Sequence, residues 1–251
     1  MDEQQLLEKR LRELARTAYD GSRFTFSDFL GMGEQDTYFR LERELSYASP
    51  RLFGGHSQCE RQMLRFGDPD ELGYEEDYPL CCLRAEPTAP KFADTLTHRD
   101  LLGALMNLGI KRAMLGDIFL TDNVAYLFCH EKIAPFLLEN LKKAKHTELR
   151  LSLWEQELPP QTLHSEERTL TCASERVDLL ISKCYDLSRK ESQELIDGGK
   201  LFVNGRICTD TARSCREGDV ISLRGYGRFR FLGILSHTRK GNLNLRIEEY
   251  R

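Results

Sequence analysis

Eight cations crowd one stretch of the chain: Lys183, Arg189, Lys190, Lys200, Arg213 and Arg216, with Arg224 and Arg228 just beyond. Ammonium and guanidinium groups at this density form charge-assisted bonds to phosphate oxygens, which hold a nucleic acid in place without reading its sequence. The plainer alternative is a solvated charged face. Other chemistries lack their residues. His98-Arg99-Asp100-Leu101 copies the start of a kinase catalytic loop, but position 105 is Leu where Asn is required, and the glycine-rich loop, strand Lys and D-F-G are missing. Asp100 reads instead as a first-turn helix residue near the positive end of the dipole, which leaves Arg99 for RNA or a salt bridge. Asp117, after Gly116, reads as a turn residue. The eight cysteines show no C-x-x-C and no His at zinc spacing, so they read as reduced, mostly buried thiols, and no metal is expected. No nucleophile-base pair or phosphate cradle stands out. The expectation is a binding protein with no cofactor, not an enzyme.

The elements that must carry these cations follow from local signals. Ser174 can cap a helix whose buried face is Val177, Leu179, Leu180 and Ile181. A second helix starts at Ser188, where Glu191 completes a capping box. The chain turns at Gly198-Gly199; Leu201-Phe202-Val203 and Arg206-Ile207-Cys208 form a hairpin across Asn204-Gly205, a pair suited to positive φ. Glu217-Gly218-Asp219 turns again before the extended run Val220 to Leu223. Gly225 and Gly227 either let backbone approach RNA closely or make an ordinary strand-end turn.

Ser174-x-Arg176-Val177-Asp178, Leu187-Ser188-Arg189, Gly199-x-x-x-Val203-Asn204-Gly205 and Gly218-Asp219-x-Ile221, in this order, resemble the S-four-type RNA-binding domain, a small alpha-L module. Val177 stands where Leu is commoner. The resemblance implies that two helices and a loop present basic residues to structured RNA, and it places that role on Arg176, Ser188, Arg189, Lys190, Lys200 and Asn204. The front of the chain adds a second likeness. Phe26-Ser27-Asp28-Phe29-Leu30, the run from His98 to Arg112 followed by Gly116-Asp117-Ile118, and Arg224-Gly225-Tyr226-Gly227-Arg228-Phe229 are similar to the YlmH family; Gly54-Gly55-His56 and Cys59-Glu60-Arg61 depart mildly from it. That family implies a bacterial, non-enzymatic factor of ribosome-associated quality control. Its partners would be the ribosomal RNA of the large subunit, an obstructed peptidyl-tRNA and other quality-control factors on the same subunit, and it would support C-terminal tailing of the stalled chain. A cell-division link is also associated with the family. The alternatives are an RNA-modifying enzyme, pseudouridine-synthase-like, targeted by its RNA-binding domain, and a cell-division scaffold.

The chain has 251 residues and a net charge of −4. From Thr171 onward it holds 15 Lys/Arg against 11 Asp/Glu, whereas the preceding 170 residues hold 21 against 29. A polyanion should therefore dock on the C-terminal part. No apolar run approaches the length of a membrane span and the start is charged helix, so a cytoplasmic monomer without membrane contact is expected.

The fold class reads as α+β. Residues 1–75 are an N-terminal helical region, with helices over Glu3 to Ala18 and Glu34 to Ser46 and with Phe24, Phe26 and Leu30 spaced to pack in its core. Gly67 to Tyr78 reads as a surface linker. Residues 76–165 alternate β-α-β-β-α-β, the ferredoxin-like, RNA-recognition-like order, with a helix capped by Thr97 and another from Ile133 to Lys143. The central-strand signature of RNA-recognition domains is absent; Tyr126 and Phe128 share a strand face and are expected to pack against the helices. His98, Arg99 and Arg112 form a candidate second contact to RNA or a partner. Residues 171–251 form the S-four-type domain.

Overall fold

The computed structural model describes residues 2–159 and 165–250; the end of the middle segment, 160–164, lies outside them. The chain divides into two compact units, Met1–Thr162 and Leu163–Arg251.

The first unit begins with helix α1 (Glu3–Gly21), started by a capping box between Asp2 and Gln5. After strand β1 (Thr25–Phe26) comes helix α2 (Met32–Leu45). The helices bury Leu11, Leu14, Ala15 and Ala18 against Tyr38, Leu41 and Leu45, and Arg12 reaches Glu44 across the pair. Strands β2 (Arg51–Phe53) and β3 (Met63–Phe66) join β1 in a sheet ordered β1-β3-β2. The stretch read as a linker contains a short helix, α3 (Pro69–Leu72), capped by Asp68.

The unit continues through β4 (Leu80–Pro87), α4 (His98–Asn107), β5 (Leu115–Thr121), β6 (Val124–His130), α5 (Ala134–Asn140), β7 (Lys143–Ala144) and β8 (Thr147–Trp154). These strands form one antiparallel sheet ordered β5-β6-β4-β8-β7. Thr97 caps α4 through a box with Asp100, as its position suggests. The predicted helix from Ile133 stops at Asn140, because Lys143 and Ala144 are drawn into pairing with Glu148 and Thr147.

The helices cover one face of this sheet, burying Leu83, Leu101, Leu105, Leu127 and Leu137. Tyr126 and Phe128 are buried on the other face, which corrects the expectation that they pack against the helices. Residues alternate faces along a strand, so Leu127 and Cys129 take the helix side and exclude their neighbours from it. The front segment covers the aromatic face. Gly55, at φ +100°, lies so close to Phe128 that a β-carbon there would come within 2.4 Å of its ring, and one on Gly116 would press on Phe29 and Phe128. An open platform for stacking bases, as RNA-recognition domains use, is therefore closed.

One junction holds this arrangement. Asp117 is not a turn residue: it sits inside β5 at a register shift between Leu115 and Ile118, where the extra residue swings its carboxylate toward the front segment. There it accepts from the backbone N–H groups of Glu60 and Arg61. The Arg61 guanidinium donates to the carbonyls of Leu115 (2.8 Å), Phe29 (3.0 Å) and Arg112 (3.1 Å), tying three stretches of chain together.

The second unit contains β9 (Ser165–Cys172), α6 (Val177–Cys184), α7 (Arg189–Asp197), β10 (Leu201–Val203), β11 (Arg206–Ile207), β12 (Val220–Leu223), β13 (Gly227–His237) and β14 (Leu243–Tyr250). The sheet runs β11-β10-β12-β13-β14-β9. Strand β9 pairs with β14 along its whole length, so the unit starts before Thr171, where the sequence reading began it. Among the described residues, no helix is long and apolar enough to cross a membrane.

Candidate nucleic-acid interface

Helices α6 and α7 lie on one face of the C-terminal sheet. Val177, Leu180, Ile181, Cys184 and Ile196 bury against Leu201, Val203, Ile221, Leu223, Phe229 and Leu245. Every third or fourth residue of α6 faces this core, so Lys183 must point away from it. The α6 start differs from the reading: its cap is Arg176, not Ser174, because the Val177 N–H donates to Arg213 O and Arg176 forms a bridge with Ser214. Helix α7 starts as expected, with the Ser188 hydroxyl accepting from Glu191 N–H and the Glu191 carboxylate from Ser188 N–H. These bonds hold the Glu191 carboxyl below its usual range. The Asn204-Gly205 turn also forms as expected, at φ +53° and +76°.

The structure sorts the expected cations into two ends of the unit, separated by the length of α6, about 12 Å at 1.5 Å per residue. At one end the α6–α7 connection meets the β12–β13 turn. The Tyr185 ring lies tilted against that of Tyr226, ring centres 5.8 Å apart, and Tyr226 N–H closes a turn on Leu223 O. Arg224 N–H donates to Lys200 O at 2.9 Å, which sets these two cations side by side. Gly225 at φ +90° makes the turn possible, and Tyr226 is left 48% exposed. Lys183, at the end of α6, and Arg189 and Lys190, at the start of α7, flank the same connection. Among the described residues, Lys183, Arg189, Lys200 and Arg224 have no carboxylate within ion-pair distance, and Lys190 makes only a loose, exposed pair with Glu194 at 3.8 Å. This open end can take phosphate oxygens at no internal cost.

At the opposite end Arg176 and Arg213 each meet a carboxylate, while the exposed Arg216 guanidinium has none within ion-pair distance among the described residues. Arg176 grips Asp178 through two bonds of 3.0 and 2.7 Å, which raise its own pKa further. The buried carboxylate of Asp219 accepts from Asn204 Nδ2 (2.8 Å) and Arg216 N–H (2.9 Å), with the Arg213 guanidinium 3.9 Å away. Asn204 also accepts from Val220 N–H, so both ends of its amide serve the fold. Arg228 belongs to neither group: it projects from the sheet face away from the helices, with its guanidinium 4.7 Å from the Tyr250 ring centre.

The expected second contact also divides. Arg112 turns inward and donates to Leu115 O and Gly116 O, and burial beside Arg61 brings its pKa down to about 10. His98 and Arg99 stay exposed at the start of α4. Arg230, Arg239, Lys240 and Arg246 are also exposed on the β13–β14 hairpin; no motif marks them, and their one signal in the sequence is two basic residues beside Gly241 in a turn. Among the described residues, no group of three or more His, Cys, Asp or Glu could hold a metal ion.

Two family profiles match this chain. One, described as "Putative RNA-binding domain in YlmH", covers residues 74–157, and the other, described as "S4 domain", covers residues 175–221. The chain is 28% identical over 251 residues to the "Ribosome-associated protein quality control protein P2" of Bacillus subtilis (strain 168), covering 100% of this chain and 96% of that one. Among solved structures it is similar to the "Cell division protein ylmH from Streptococcus pneumoniae", at 16% identity and a TM-score of 0.48, over 61% of this chain and 92% of that one.

Proposed function

We propose, from the premise that this chain is a YlmH-like protein carrying an S4 domain, that it binds the large ribosomal subunit when that subunit holds an obstructed peptidyl-tRNA. There it supports C-terminal tailing of the stalled chain, alongside other quality-control factors. The observation that carries this reading is the open end of the C-terminal unit: Lys183, Arg189, Lys200 and Arg224, without carboxylate partners among the described residues, around the exposed ring of Tyr226. Such a surface binds ribosomal RNA and the tRNA backbone through phosphates, with an aromatic face for a neighbouring base. The name of the Bacillus relative and the two domain matches support the ribosomal setting.

The protein acts by binding, as a cytoplasmic monomer, and catalyses no reaction. The carboxylates an RNA-modifying enzyme would need are engaged elsewhere: Asp100 in the cap of α4, and Asp117 on the amides of Glu60 and Arg61.

Co-sedimentation with purified large subunits, with and without peptidyl-tRNA, tests the reading. Wild type should pellet with the subunits, more tightly when peptidyl-tRNA is present, and Arg189→Ala/Arg224→Ala should lose at least tenfold in affinity. A wild-type protein that stays in the supernatant at low salt would overturn it.

A further inference from the structure

The first unit is acidic overall, yet one concavity on it is basic. An open groove of ≈ 600 Å³ runs between α4 and the stretch from the end of α5 through β7, lined by Arg99, Gly103, Asn107, Lys142, Lys143 and Lys145. Asp100 also borders it, but that carboxylate is bonded to the Thr97 N–H (2.9 Å) and hydroxyl (2.7 Å) in the helix cap. Glu148 stands opposite Lys143 in the β7–β8 ladder. Lys142 Nζ donates to Leu138 O, while Arg99, Lys143 and Lys145 have no carboxylate within ion-pair distance among the described residues. Asp100 acts on Lys145 only at a distance and Glu148 faces Lys143 across the ladder, so the positive charge is only partly offset and stays available to an external anion.

Two further features point to a ligand that lies close to the helix. Gly103 sits in the middle of α4, where glycine is a poor choice, and a β-carbon there would meet nothing within 4 Å. Packing does not require it. Its effect is to lower the wall of the groove, which lets a backbone approach α4. The stretch between β4 and α4 carries Lys91 and Phe92, and Phe92 is 91% exposed. The same stretch is tied to the turn before β8, since Asp94 accepts from His146 N–H and also contacts its ring nitrogen at 3.3 Å. Exposed cations next to an exposed aromatic ring suit a nucleotide chain, whose phosphates and bases need both.

We infer that this groove, on the helical side of the middle sheet, is a second binding site for an RNA phosphate backbone, distinct from the open end of the C-terminal unit. The inference rests on the RNA-binding reading above and adds where the first unit takes part. The sheet face is closed to RNA by the front segment, so the helical side is where contact can occur.

The test compares full-length wild type, Lys143→Gln/Lys145→Gln, Gly103→Leu and Arg189→Ala/Arg224→Ala. Two probes are used across a salt series: a fluorescent RNA hairpin, and large subunits bearing peptidyl-tRNA. Removing two phosphate contacts should reduce the slope of log affinity against log salt by roughly 1.4 to 1.8 on the hairpin. Gly103→Leu should weaken RNA binding several-fold while α4 keeps or gains thermal stability. Unchanged affinity and slope in both groove variants would overturn the inference, even with wild type bound firmly to subunits. A loss confined to subunits, with the hairpin slope intact, would identify an acidic protein surface as the occupant and would likewise overturn it. If wild type fails on subunits while the groove variants still weaken hairpin binding, the groove stands and the ribosomal reading falls.

Discussion

Arg61 offers the sharpest stability test, because one side chain joins three parts of the first unit. Its guanidinium donates to the carbonyls of Phe29, Arg112 and Leu115, and its own N–H goes to Asp117. A hydrogen bond from a charged donor contributes about 1.5–3 kcal/mol net, but three that share one partly buried group are not additive, and removing the cation also relieves its desolvation. We therefore expect Arg61→Ala to cost about 3 kcal/mol, and Arg61→Lys, which keeps the charge but loses the planar fork, roughly 2 kcal/mol. At ~2–4 °C per kcal/mol for a unit of this size, the alanine variant should melt roughly 6–12 °C lower. The chain has a single tryptophan, Trp154, whose ring lies 5.2 Å from that of Tyr126 on the face covered by the front segment. Urea unfolding followed by its fluorescence therefore reports the first unit alone. Combining Arg61→Ala with Asp117→Asn should cost less than the sum of the two, since they hold the same loop. A midpoint for Arg61→Ala within about 0.5 kcal/mol of wild type would refute the stapling argument, because that is the range of neutral surface changes.

Three further outcomes follow from other contacts. Asn204→Ala should destabilise the C-terminal unit by about 1–2 kcal/mol, read by calorimetry, through loss of its bonds to Asp219 and Val220, and Ser188→Ala by about 1 kcal/mol through loss of a cap. Neither should change the salt dependence of RNA binding, in contrast to the role the family resemblance gives them. The carboxyls of Glu86, Asp100 and Glu191 are all held below their usual range, by hydrogen bonds from Arg84, Thr97 and Ser188 respectively. Their stabilisation is complete above the unfolded value near pH 4 and fades as pH falls through the lower folded values, so unfolding midpoints should drop in acid, and Asp100→Asn and Glu191→Gln should flatten that limb. Among the eight free cysteines, burial pushes the thiols of Cys82, Cys184 and Cys215 up to about 12, whereas the contact with Cys129 lowers that of the half-buried Cys81. Native alkylation with iodoacetamide, mapped by mass spectrometry, should mark Cys81 first; earlier labelling at Cys184 would contradict this.

The features legible in the sequence were those decided within a few residues. The Ser188–Glu191 box, the Thr97 cap and the Asn204-Gly205 turn each declare themselves locally, and the alternation of elements from Leu80 to Trp154 follows from hydrophobic period. What depends on distant partners was not. Strand β9 buries only Leu170 and Cys172, so its pattern is too polar to read, and bulges at Phe231/Gly233 and Ile234/Ser236 break the alternation of β13. Periodicity placed Tyr126 and Phe128 on one face but not against which neighbour, because Phe128 is covered by Gly55 and Tyr126 by Trp154, both distant in sequence. Residue type also marked Arg176 and Arg213 as phosphate ligands as readily as Arg189 and Arg224. Only the positions of Asp178 and Asp219 separate the engaged cations from the open ones.

That separation is the centre of the account, and the salt dependence of binding to peptidyl-tRNA-bearing large subunits measures it directly. Arg189→Ala/Arg224→Ala should lower the slope by roughly 1.4 to 1.8, because two phosphate contacts vanish, whereas Arg176→Ala/Arg213→Ala should lower it by less than about 0.5. Equal losses in the two variants, or the larger loss in the second, would contradict the assignment of the RNA grip to the open end.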